Sequence, residues 1–164
     1  MRLLWPFLTA LVLDQIAKQV IRMTMYVGQS INVVGDFARL TYVENRGMAF
    51  GIQIGNGTLF TVLSIIASIG IGIYLYFQRN EDKGITISLS LILGGAIGNL
   101  IDRILFGRVV DFMDIGISNT RWPVFNVADS AVVIGMFILI ITTYLSERSS
   151  SKKVLTESGD GITP

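Results

Sequence analysis

The chain has 164 residues, 51% hydrophobic and 15% charged, with a net charge of +1 at pH 7 and a mean hydropathy of +0.61. A soluble domain carries about 25% charged residues, so this composition points to lipid, while the lack of a basic block or strongly basic balance gives no reason to expect a nucleic-acid partner. Cysteine and histidine are both absent, which removes disulfides, thiolate chemistry, Ser-His and Cys-His pairs, and Cys- or His-ligated zinc. Any hydrolytic chemistry must rest on Asp, Glu, Lys, Ser, Thr or Tyr.

Taken in chain order, four stretches predict membrane helices, at about 3–25, 58–77, 85–105 and 126–145. The first is interrupted by Asp14, Lys18 and Arg22. It opens like a signal peptide, but no convincing A-x-A-like cleavage site follows Leu13, so a retained helix is expected. With no cysteine to lipidate, the chain is not itself a lipoprotein. The loop 26–57 is long for a connector. Within it SINVV and ARLTYV, separated by Gly35-Asp36, have the β-branched, partly alternating character of a small antiparallel sheet. The second helix is uncharged from Thr58 to Phe77; the third is uncharged from Ile85 to Ile101 and then meets Asp102-Arg103. The fourth follows VFNVADS. The expected organisation is one integral membrane domain over 1–146, an all-α bundle of four transmembrane helices with a small extracytoplasmic antiparallel β-sheet. A disordered cytoplasmic tail is expected over 147–164, rich in Ser, Lys and Gly. No internal repeat is evident.

Four spans place both termini on one side. Arg2, Arg79, Lys83, Arg148, Lys152 and Lys153 outnumber Arg39, Arg46, Arg108 and Arg121 of the opposite loops, a bias that favours cytoplasmic termini. In that orientation Lys18, Arg22, Asn99, Asp102, Arg103, Asp111, Asn126 and Asp129 all gather toward the outer face.

Each of these has an ordinary reading. Asp14 and Lys18, at i and i+4, suit an ion pair inside a bundle. Gly94 and Gly98 of GGAIGNLIDR form a small-xxx-small step for close helix packing, and Asn99, Asp102 and Arg103 suit a polar helix end. Asn45 of ENRG reads as a turn residue. Asp129 is a helix N-terminal acid with Asn126 as its N-cap, and Asp111 is a solvated loop acid. Together, however, Asp111 and Asp129 are brought to the same interface by a connection that must fold back. Two adjacent carboxylates share a proton, giving one general base and one general acid without His, Cys or metal.

DQIAK at 14–18, NRGMAF at 45–50, GGAIGNLIDR at 94–103, VVDF at 109–112 and FNVADS at 125–130, in this order, resemble the lipoprotein signal peptidase (signal peptidase II) family over about 13–145. The resemblance implies a bacterial aspartic endopeptidase of the inner (cytoplasmic) membrane. Such an enzyme removes signal peptides from prolipoproteins just before a diacylglyceryl-modified cysteine. By motif the catalytic pair falls on Asp111 and Asp129. Asp14, Lys18, Asn45, Asn99, Arg103 and Asn126 match polar positions that line or support the family's site. No cofactor and no metal are needed. The partners implied are prolipoprotein signal peptides, membrane lipids and globomycin-like inhibitors, with the chain acting as a monomer. Met48 departs from the pattern, standing where the family usually has alanine.

A proton-coupled carrier also places Asp and Lys inside a membrane, but it would be expected to show an inverted repeat and acids spread across the membrane. A non-catalytic scaffold built on the glycine-rich third helix leaves the paired aspartates unexplained.

Overall fold

The computed structural model describes residues 4–47, 57–78 and 83–159. Four helices, α1 (Leu4–Thr24), α2 (Gly57–Gln78), α3 (Lys83–Phe106) and α4 (Val127–Gly159), are joined by strands β1 (Ser30–Val34), β2 (Ala38–Asn45), β3 (Val109–Ile117) and β4 (Thr120–Arg121). Among the described residues three helices are long and apolar enough to cross a membrane: α2, α3 and the first 20 residues of α4, Val127–Ser146. Helix α1 has comparable length, 21 residues, but carries Asp14, Lys18 and Arg22.

The distribution of side chains is inverted relative to a soluble protein. Ile66, Ile69, Phe137, Ile140 and Ile141 are more than half exposed, whereas Asp14, Lys18, Asp102 and Asn126 are wholly buried. Charged groups are almost never fully buried unless paired, so the bundle interior must be a network of ion pairs. Helix α3 is the central element, packed against α1, α2 and α4. Its glycines allow this. A Cβ on Gly95 would collide with the carbonyl oxygen of Ala128 on α4, and one on Gly98 would meet Asp14 Oδ2 at 2.7 Å.

Only four residues separate Gln78 from Lys83, too few to span a helix length at about 3.6 Å each, and Thr86 Oγ1 donates to the Gln78 carbonyl. Helices α2 and α3 are therefore antiparallel. The last turns of α1 and α3 and the first turn of α4 meet the strands at the opposite end. The strands form one antiparallel sheet in the order β1-β2-β3-β4. Its first two strands fall where the sequence predicts them. Strand β3 does not: the stretch holding Asp111 was expected as a loop, and it pairs instead with β2, Val43 opposite Asp111 and Asn45 opposite Val109. The run VVDFMDIGI is strand-like in sequence but lies beside the polar end of α3, which masks its alternation. The sheet's small core is Ile21, Met25, Tyr42, Val110 and Phe112.

Helix α4 runs beyond its membrane-length part. It continues through Glu147 to Gly159, where a disordered tail was expected from 147. No proline or glycine interrupts that stretch before Gly159, and Glu and Lys are good helix formers, so the helix propagates until the first breaker.

Candidate active site

The site is built where β3, the C-terminal half of α3 and the first turn of α4 converge. Phe125 fixes the approach. Its carbonyl accepts the N–H groups of Phe112 and Met113, and its own N–H donates to the Met113 carbonyl, so the chain is bound to β3 two residues before α4 begins. Asn126 then caps the helix. The Asp129 N–H donates to Asn126 Oδ1 at 2.9 Å, and the Asn126 N–H donates to Asp129 Oδ2 at 3.1 Å. This is a reciprocal capping box with aspartate in the acidic position.

The cap does more than start a helix. Because Asn126 Oδ1 is taken by a backbone donor, its amide nitrogen must face the other way, where it donates to Asp111 Oδ1 at 2.6 Å. Asn99 is oriented by the same logic. Lys18 Nζ donates to Asn99 Oδ1 at 2.7 Å, so Asn99 Nδ2 turns to Asp129 Oδ1 at 2.8 Å. Asn45, the last residue of β2, accepts the Gly47 N–H through Oδ1 and donates through Nδ2 to Asp111 Oδ2 at 2.9 Å. Each of the four carboxylate oxygens thus holds one donor of known polarity. Amide orientation, ambiguous for an isolated asparagine, is here dictated by the neighbours.

A charge network supports these asparagines. Lys18, wholly buried, lies 2.8 Å from Asp14 Oδ2 and 3.4 Å from Asp102 Oδ2. The other oxygen of Asp14 accepts the Ala128 N–H in the first turn of α4, and Asp102 accepts the Val110 N–H of β3 while pairing with Arg22 at 2.7 Å. One lysine and two aspartates of α1 and α3 therefore hold both elements that carry the acid pair. Asp102, Arg22 and Gln15, whose side chain bridges Asp14 and the Gly98 carbonyl, were not among the predicted site residues. Their signal was their spacing, Asp102 three residues after Asn99 and Arg22 four after Lys18.

Asp111 is only 3% exposed. Burial pushes its carboxyl up to about 6, with the charge of Asp129 adding to the effect and the hydrogen bonds from Asn45 and Asn126 opposing it. A carboxyl poised near neutrality can exchange protons at physiological pH.

Asp111, Asp129, Asn45, Asn99 and Arg103 open onto a cavity of about 370 Å³, whose remaining wall is Val109, Trp122–Phe125, Ser130, Val133 and Ile134. Polar groups cluster at one end of an otherwise apolar hollow, the usual form of a ligand site. The wall supplied by Trp122, Val133 and Ile134 was not foreseen, since such residues are indistinguishable in sequence from lipid-facing ones. Of the eight predicted site residues, Asp111, Asp129, Asn45, Asn99 and Arg103 line the cavity, and Lys18, Asp14 and Asn126 stand behind them. Among the described residues no carboxylate lies within ion-pair distance of Arg103. Met48 lies outside the described residues. They also contain no cluster of three or more acidic groups able to hold a metal.

The sequence model of the family described as "Signal peptidase (SPase) II" matches residues 7–145. The chain belongs to the signal peptidase II family. Curated relatives agree. A lipoprotein signal peptidase of Halothermothrix orenii is 46% identical over 141 residues, covering 86% of this chain and 94% of the relative. One of Chlorobium phaeobacteroides is 41% identical over 140 residues, covering 80% and 88%. A solved structure described as a bacterial membrane enzyme, obtained by the in meso method at 2.3 Å resolution, superposes with a TM-score of 0.78 at 35% identity, covering 92% of this chain and 91% of that one. The matched span of the signal peptidase II model contains every residue of the acid pair and its support, and it ends one residue before the end of the apolar part of α4.

Proposed function

We propose that this protein is a membrane aspartic endopeptidase that removes signal peptides from diacylglyceryl-modified bacterial prolipoproteins, cleaving just before the lipidated cysteine. One observation carries the reading: a buried carboxylate, Asp111, and a half-buried one, Asp129, joined through Asn126 and each held by two donors, open onto an apolar cavity beside the bundle. Family membership adds to it. The substrate's signal helix and acyl chains lie against the apolar wall formed by Trp122, Val133 and Ile134, and the scissile bond reaches Asp111 and Asp129. The ionised member of the pair takes a proton from water, which attacks the carbonyl carbon. The protonated member polarises the carbonyl oxygen and then serves the leaving amine. The pair titrates as a unit. Arg103 faces the same hollow and adds a positive charge where the tetrahedral oxyanion forms.

In this reading four helices span the inner membrane with both termini cytoplasmic, the sheet lies on the outer side, and the chain works as a monomer without a cofactor. A globomycin-like cyclic peptide competes with substrate for the cavity. The test is a gel-shift assay of a lipid-modified prolipoprotein with purified enzyme in micelles. Asp111→Asn and Asp129→Asn are each expected to lower the rate by about 100-fold or more. Near-normal cleavage by either correctly inserted variant would sink the assignment.

A further inference from the structure

Strand β3 has two faces, and only one belongs to the acid pair. Side chains alternate along a strand, so Val109 and Asp111 face the first cavity while Val110 faces the other way. Glu44 and Asn45 of β2, paired with Val110 and Val109, divide in the same manner. Behind the sheet lies a second cavity of about 240 Å³, lined by Arg22, Tyr42, Glu44, Phe106, Arg108 and Val110. The two cavities stand back to back through β2 and β3.

The charged part of that lining is two guanidiniums and one carboxylate. The Arg22 guanidinium lies over the Phe106 ring at 4.3 Å from its centroid, and one of its nitrogens engages Asp102. Arg108 pairs with Glu44 at 3.1 Å, and the Tyr42 hydroxyl donates to the other Glu44 oxygen at 3.3 Å. The arginine side chains are 18% and 39% exposed, so they are partly desolvated without being closed off. Phe106, the last residue of α3, is part of the cavity wall. Beside it Ile104 and Leu105 are 61% and 65% exposed, and Met23 on α1 is 75% exposed. The hollow is therefore charged within and bordered by apolar side chains, at the level where a candidate membrane helix ends. That is the headgroup layer of a bilayer.

We propose that this cavity binds the headgroup of a phospholipid of the phosphoethanolamine class, the phosphodiester on Arg22 and Arg108 and the primary ammonium on Glu44. Guanidinium forks suit phosphate oxygens, and the ammonium takes over from Arg108 as ion-pair partner of Glu44, freeing the guanidinium for the phosphate, while the same carboxylate would repel a purely anionic headgroup. A quaternary choline has no N–H to offer Glu44, and a glycerol headgroup has no positive charge. Bound there, the lipid ties the end of α1 to the strands that carry Asn45 and Asp111. The inference rests on α3 spanning the membrane and is independent of the proteolytic reading.

The experiment is native mass spectrometry of the full-length protein, delipidated in mild detergent and titrated with phosphatidylethanolamine, phosphatidylglycerol and phosphatidylcholine of identical acyl chains. One phosphatidylethanolamine per chain is expected, bound about tenfold tighter than the other two, as for loss of one partly desolvated charge contact. Glu44→Gln, a near-isosteric change, should reverse the preference between phosphatidylethanolamine and phosphatidylglycerol, and Arg108→Ala should weaken both. Equal binding of the three lipids by the wild-type protein overturns the proposal without recourse to any variant. So does an unchanged preference in Glu44→Gln. Competition by inorganic phosphate or glycerophosphoethanolamine as strong as that of the lipid would show a site for soluble headgroups, and would overturn it too.

Discussion

At the scale of single residues, the chemistry of Asp111 is set by a competition. Burial and the nearby Asp129 disfavour its charge; the donors on Asn45 and Asn126 favour it; burial wins, and the carboxyl is pushed up from an ordinary 3.8 to about 6. The folded state therefore binds a proton that the unfolded chain has released. The stability that Asp111 contributes is present below 3.8 and is lost as pH rises through about 6. Thermal unfolding of wild type and Asp111→Asn across pH should show this as a difference that moves against the wild type over that window and is flat above it. Activity should respond as well. Asn45→Ala removes one donor that favours the ionised form, so the limb of the pH–rate profile near 6 should move to higher pH, with about a tenfold lower rate on its acidic side if Asp111 is the base. A profile that superimposes on the wild type after scaling would show that Asn45 does not govern the titration of Asp111.

At the scale of elements, the glycines of α3 decide how closely the carriers of the site approach. Gly95 admits the Ala128 carbonyl of α4, and Ala128 lies one residue before Asp129. Gly95→Ala must push α4 away or strain it, at about 1–3 kcal/mol, and the shift falls on the capping box. Gly70, on α2, has open space where a Cβ would go. Gly70→Ala should therefore leave cleavage unchanged and raise stability by about 0.5–1 kcal/mol. Unfolding midpoints and cleavage rates of the two variants in the same detergent check the contrast; equal losses in both would mean that close approach at Gly95 does not matter. The elements also show what was legible beforehand. The apolar runs marked α2, α3 and the membrane-length part of α4, and Asn126 before Asp129 marked the start of a helix with its cap. Strand β3 was hidden. Its partner β2 is distant in sequence, and register between remote strands leaves no local trace. Asp111 could thus be matched by its motif, while its hydrogen bond to Asn45 required the pairing of β2 with β3. The extension of α4 was less legible for a different reason, since Ser-rich composition suggests disorder while no proline or glycine breaks the helix before Gly159.

At the scale of the whole molecule, a single arrangement follows from the connections. The sheet caps the end shared by the last turn of α3 and the first turn of α4, and Lys83 opens α3 at the far end. Over 24 residues, at about 1.5 Å each, these ends are separated by the thickness of a bilayer. If the proposed orientation holds, Asn119, exposed in the turn between β3 and β4, faces the outside, and Lys83, also exposed, faces the cytoplasm. The absence of native cysteine makes this measurable without background. A membrane-impermeant maleimide added to intact cells should label Asn119→Cys at once and Lys83→Cys only after permeabilisation. The reverse pattern would invert the topology and place the acid pair on the cytoplasmic side, where it would not meet exported substrate. Labelling of both from outside would mean that α3 does not cross the membrane, and the headgroup cavity beside Phe106 would then have no lipid to bind.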